Sequence, residues 1–148
     1  MILIDASVIA YAVGEPHHPL REPCRRILEA HGDGRLEVTT TVETLQAFLQ
    51  LRLRHRSRED ATSLTRELAA ALRPIVTSRT DLERALVLMD QHPDLPPSRA
   101  VLAAVAIGHE AEALVSADPA FAAIPGLRWV DPGDPDAVLL LTAQLTPV

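Results

Sequence analysis

Three carboxylates in this sequence share one local pattern. Asp5 ends the apolar run Ile2-Leu3-Ile4, Glu43 follows the stretch from Glu37 to Thr40, and Asp118 follows Ala113-Leu114-Val115-Ser116. Each acid also opens a segment with helical character. The strands of an open parallel sheet end on one edge, where ligands bind, so acids far apart in sequence can converge there. Converged carboxylates suit a hard cation such as Mg²⁺, which takes oxygen ligands and keeps several waters. Two such ions about 3.5–4 Å apart can activate water and stabilise a leaving oxygen in phosphodiester hydrolysis.

Taken singly, each acid is more readily a helix cap, because helix N-termini favour carboxylates through unpaired amides and the helix dipole. Asp5 reads as an N-cap. Thr40-Thr41-Val42-Glu43 fits a capping box with Thr40 as the cap and Glu43 reaching back, and Asp118-Pro119 fits a cap followed by proline. Only the joint pattern separates a chemical site from three caps.

The elements that must position these acids follow from periodicity. Ile2–Ile4 reads as a buried strand and Ala6–Ala12 as a helical turn, with a second helix from Pro19 to His31 stopped by Gly32-Asp33-Gly34. Apolar spacing predicts a helix from Val42 to about His55 and another from Arg58 to Arg73, ended by Pro74. Ile75-Val76-Thr77 reads as a strand, and a helix capped by Thr80 or Asp81 runs through Met89. His92–Ser98 is a Pro-rich loop, Ala100–Ile107 a buried helix, Ala113–Ser116 a strand, and Leu127–Val130 a last strand. From Asp131 onward the chain carries acids and no base, and no element is assigned. Strands alternating with helices predict an α/β fold with a mainly parallel sheet covered by helices.

Bulk composition agrees with one domain over residues 1–148. The hydrophobic fraction is 47% but the aromatic fraction 3%, so the core must be aliphatic. A lone Cys24 excludes an intramolecular disulfide and a cysteine zinc cage, pointing to a reducing, cytoplasmic setting. The N-terminus lacks a signal-peptide pattern and no apolar run approaches the roughly 20 residues of a membrane span. A net charge of −6 argues against wholesale coating of nucleic acid but leaves room for a local basic patch.

The order of the acidic motifs resembles the PIN-domain family, in particular the VapC toxin ribonucleases of VapBC toxin–antitoxin systems. Ile2-Leu3-Ile4-Asp5-Ala6-Ser7 resembles the family's opening, Thr40-Thr41-Val42-Glu43 its second motif, and Leu114-Val115-Ser116-Ala117-Asp118-Pro119 its fourth. Ile124-Pro125-Gly126-Leu127-Arg128 and Val130-Asp131-Pro132 resemble its ending, so the similarity covers nearly the whole chain. It implies a three-layer α/β/α domain and a Mg²⁺- or Mn²⁺-dependent endoribonuclease acting on structured RNA. Asp5, Glu43 and Asp118 would be catalytic, Asp5 and Asp118 metal-binding, and Ser7 and Ser116 supporting. The implied partners are RNA, a VapB-like antitoxin and a second copy of the chain.

The third motif departs from the family. The helix Ala100-Val101-Leu102-Ala103-Ala104-Val105-Ala106 matches, which places Arg99 where a metal-binding Asp belongs. A base for an acid changes the site by two charges, and a unit pair about 4 Å apart is worth about 4 kcal/mol at an effective dielectric near 20. Arg99 is expected to pair with Asp5 or Asp118 in the space of an ion. Two readings stay open: a toxin ribonuclease, and a PIN-fold module that binds antitoxin or RNA without cutting.

All fourteen positive residues are Arg, and Arg52-Leu53-Arg54-His55-Arg56-Ser57-Arg58 gathers four of them at a helix junction. Such a run reads first as a solvated helix end and second as a phosphate contact. No His pair has metalloprotease spacing, and there is no Walker loop or nucleophile elbow, so NTPase and serine-hydrolase readings lack a motif. Cys24 lies on an apolar helical face, as a core residue would.

Overall fold

Ile2, Leu3 and Ile4 are all fully buried. Successive strand residues point to opposite faces, so both faces of this strand must be covered. The computed structural model describes residues 1–143. Strand β1 (Ile2–Ile4) is central in a four-stranded sheet with β2 (Val38–Thr39), β3 (Ala113–Val115) and β4 (Trp129–Val130), in the order β2-β1-β3-β4. Every pairing is parallel, with Ile2 opposite both Val38 and Ala113 and Leu114 opposite Trp129.

The helices divide by face. Ile2 and Ile4 pack with Val38, Val115 and the apolar sides of α1 (Ala6–Ala12), α2 (Arg21–Gly32), α3 (Val42–Leu53) and α4 (Arg58–Leu72). Leu3 and Leu114 point the other way, onto α5 (Arg79–Gln91) and α6 (Pro97–Gly108), with Phe121 and Ile124 closing that core. The expected three-layer α/β/α arrangement is present. Edge strand β2 is not left open: His31 Nδ1 accepts the Val38 amide at 3.1 Å, and the Ile75 amide donates to the Thr40 carbonyl at 2.8 Å.

Several local expectations are corrected. Ile75-Val76-Thr77 is not a strand; it makes one bridge, Ile75 to Thr41, and while Ile75 packs partly against the core, Val76 on the opposite face is left 76% exposed. Ser78 caps α5, not Thr80 or Asp81, because Asp81 three positions on reaches back to the Ser78 amide in a capping box. Helix α6 begins at Pro97, whose missing amide costs nothing in a first turn, so Arg99 sits inside the helix. Helix α7 (Pro135–Ala143), unassigned from sequence, buries Val138 and Leu141 beside α2.

Candidate active site

The chain leaves β1 toward β2 on one side and later returns to β3 on the other. That reversal is the topological switch point of a parallel sheet, where loops diverge and leave a crevice. Asp5 follows β1 there, and Ser116 to Asp118 follow β3.

One hydrogen-bond network joins these residues. The amides of Ser7 and Val8 donate to Asp5 Oδ1 at 3.0 and 3.3 Å, and Ser7 Oγ donates to the same oxygen at 2.5 Å. Ser116 Oγ donates to Asp5 Oδ2 and accepts the Asp118 amide at 3.0 Å. Ser7 Oγ also accepts the Ala117 amide at 3.2 Å. Asp5 caps α1 while Ser7 and Ser116 tie it to the β3 loop, so cap and site coincide in one carboxylate.

Asp118 has the same double character. Its Oδ1 accepts the Ala120 amide at 2.9 Å, capping the short 3-10 turn Pro119–Ala123, and its Oδ2 accepts Arg99 Nε in an ion pair. The Ala120 amide foremost, and then the Arg99 guanidinium, hold the Asp118 carboxyl below the usual carboxylate range against partial desolvation. Of the two partners expected for Arg99, Asp118 is the one it takes.

Glu43 stands apart from this network. Thr41, not Thr40, caps α3 by accepting the Thr44 amide at 3.1 Å, while Thr40 Oγ1 donates to the Ile4 carbonyl at 2.7 Å and ties β2 to β1. Glu43 is therefore released from capping. It is exposed and accepts a hydrogen bond from Thr77 Oγ1 at 2.8 Å. Asp5, Glu43 and Arg99 line one cleft of about 420 Å³, with Thr41, Thr44 and Ser98 beside them. Arg99 is the only basic residue of that lining. Among the described residues, no group of three or more His, Cys, Asp or Glu side chains is placed to hold a metal ion.

Two positioning residues had no signal in the sequence motifs. Thr77 belongs to the segment misread as a strand. Trp129, the single tryptophan, donates from Nε1 to the Ser116 carbonyl at 2.8 Å and so fixes the loop that carries Ser116 and Asp118. Cys24 is buried, and burial first, then the Asp5 charge, pushes its thiol up to about 12, which leaves it no nucleophilic role.

The chain as a whole has counterparts among known proteins. The family model for the PIN domain matches residues 2–127. The chain belongs to the PIN-domain family. It is 41% identical over 145 residues to Ribonuclease VapC7 of Mycobacterium tuberculosis, covering 95% of this chain and 98% of that relative. Ribonuclease VapC23 of the same species is 33% identical over 98 residues, 64% of this chain and 75% of its own. Among solved structures, a toxin-antitoxin complex from Klebsiella pneumoniae matches with a TM-score of 0.67 at 21% identity, and FitAcB from Neisseria gonorrhoeae with 0.63 at 18%. Each covers 89% of this PIN domain and 98% of the matched chain, a correspondence of fold. Among its described residues, no helix is long and apolar enough to cross a membrane.

Proposed function

We propose that this PIN domain is a VapC-type toxin ribonuclease that hydrolyses phosphodiester bonds in RNA, with Asp5, Glu43 and Asp118 as its acidic groups. The observation that carries this reading is 41% identity to Ribonuclease VapC7 over nearly the full length of both chains. The switch-point cleft lined by Asp5, Glu43 and Arg99 is the site assigned to it. Asp5 is saturated by hydroxyl and amide donors and acts as a fixed negative charge. Glu43 is the exposed carboxylate, braced by Thr77, and in this reading it orients an attacking water and takes its proton. Arg99 is the cation of the cleft wall and the group able to face a phosphate oxygen. A VapB-type antitoxin and a second copy of the chain are the partners that accompany this reading, in the cytoplasm.

Mg²⁺ or Mn²⁺, implied by the resemblance, does not fit the arrangement as it stands. Asp118 Oδ2, the oxygen not used as a cap, is paired with Arg99, and among the described residues no third acid joins Asp5 and Asp118. A guanidinium in that position repels a divalent ion. The same ion pair favours a second reading, in which this copy binds RNA or antitoxin without cutting.

Cleavage of a labelled structured RNA, with Mn²⁺ and with EDTA, separates the readings. The Arg99→Asp protein is expected to cleave with Mn²⁺, and Glu43→Gln added to it is expected to abolish cleavage. Cleavage by the native chain supports the first reading; silence from the native chain with cleavage by Arg99→Asp supports the second. An Arg99→Asp protein that neither binds Mn²⁺ nor cleaves would leave Asp5 and Asp118 as caps alone.

A further inference from the structure

The basic run lies away from the acidic edge. Glu43 opens α3 at the cleft and Arg54 caps its other end, 11 residues on, which at helical rise is about 16 Å. There the ends of α1 and α3 enclose a second cavity of about 470 Å³. Phe48, Val13 and Leu51 give it an apolar wall, and Tyr11, His55 and Arg56 open onto it. Tyr11 and His18 stack with ring centroids 4.5 Å apart and planes 23° from parallel.

The arginines of the basic run, of which Arg52 and Arg56 line this cavity, divide into two kinds. Arg52 is a strut: its Nε and Nη2 donate to both carboxylate oxygens of Asp60, and its Nη1 to the Val13 carbonyl at 3.4 Å. Arg54, Arg56 and Arg58 are exposed, and among the described residues none has a carboxylate within ion-pair distance. Glu15 is the one acid in the lining. A chain of net charge −6 thus keeps Arg56 exposed on an aromatic cavity, two residues from the exposed Arg54 and Arg58. Planar guanidinium groups suit phosphate, and an aromatic face suits an unstacked base of any sequence.

We propose that this cavity is a second RNA-binding site: Tyr11, extended by His18, stacks an unpaired base while Arg54, Arg56 and Arg58 engage the adjoining phosphates. It rests on RNA being the ligand of the acidic cleft and would hold single-stranded RNA outside that cleft. Its aromatic stack and phosphate-type donors favour nucleic acid over an acidic peptide, which would use the charges but not the ring face. The contribution is to affinity, with no group here near the acids that would do chemistry.

Fluorescence anisotropy of a short fluorescein-labelled single-stranded RNA, in EDTA and across a salt series, tests the site on the full chain. Replacing Arg54, Arg56 and Arg58 together by Gln should weaken binding and lower the slope of log affinity against log salt by about 2, three phosphates at about 0.7 each. Tyr11→Leu should weaken binding roughly tenfold with the slope unchanged, as loss of one base stack does. Thermal melts of both proteins control for folding: Arg54, Arg56 and Arg58 are exposed, whereas Tyr11 packs partly against the core, so its variant is compared only at temperatures where it is folded. Unchanged affinity and slope in the triple variant, with native binding intact, overturns this site and leaves the cleft reading standing. A native chain that binds no RNA overturns both. If the triple variant binds RNA normally but loses a purified acidic antitoxin, the surface is a protein-docking site and the proposal fails.

Discussion

The Arg99–Asp118 pair decides what the cleft can hold, so its strength is the quantity to measure first. Two unit charges about 4 Å apart at an effective dielectric near 20 would attract by about 4 kcal/mol, which is a ceiling. The side chains are 41% and 27% exposed, so solvent screening and side-chain entropy bring the coupling to about 1 kcal/mol. A double-mutant cycle with Arg99→Met and Asp118→Asn isolates it. Met keeps the aliphatic stem of Arg packed at the start of α6, and Asn keeps the cap on the Ala120 amide, so each change removes chiefly the charge. Urea denaturation of the four proteins should give a coupling near 1 kcal/mol that shrinks on adding salt. A coupling indistinguishable from zero at low salt would mean that Asp118 is free in solution, and the objection to a cation beside it would disappear.

Other consequences can be checked with the same material. Ser116→Ala removes the buried hydroxyl that bonds Asp5 and the Asp118 amide, and leaving those groups unsatisfied should cost about 1–3 kcal/mol by denaturation. Asp60 is held below the usual carboxylate range, first by its hydrogen bond from Arg52. A depressed folded-state value stabilises above the ordinary carboxylate value and is lost as pH falls through the folded one. The Tm difference between native and Asp60→Asn proteins should thus be present at neutral pH and vanish in acid; a difference that persists in acid contradicts the pairing. Cys24 should react with a thiol reagent only as fast as the protein opens, so prompt labelling of the native chain would show that its burial is wrong.

Legibility differed by the range of the interaction. Asp5 and Asp118 could be located because each follows a short buried strand, and strand order carries both loops to the switch point. Arg99 could be placed because the small apolar helix after it sets the register, although the sequence could not say which acid it would meet. For Glu43 the competing structural reading failed: a capping box from Thr40 was available to it, but the Thr40 hydroxyl is committed to the Ile4 carbonyl. That contact spans 36 residues, and no local rule reports it. Thr77 and Trp129 were missed likewise, because their partners lie 34 and 13 residues away. Helix α7 was overlooked because Val138-Leu139-Leu140-Leu141 is apolar on all sides and shows no periodic contrast.

Arg99 is also unfavourable for a local reason, and this makes a further prediction. It lies in the first turn of α6, where the helix dipole disfavours cations and favours acids by about 0.3–1 kcal/mol. Asp118 offsets that cost by pairing with it. In the Arg99→Asp protein the helix terminus is improved, but three carboxylates then share the switch point with no positive charge among them. Repulsion in so small a volume should exceed the dipole gain, so this protein should melt below the native one in EDTA. A divalent cation would reverse the order, because binding to the folded state alone adds about 2.7 kcal/mol at a hundredfold excess over Kd. The expected result is a Tm that rises with Mn²⁺ for Arg99→Asp and stays flat for the native chain. Equal Mn²⁺ responses would show that Arg99 does not exclude the ion, and the acids would then have to be closer to a cation site than their present pairing allows.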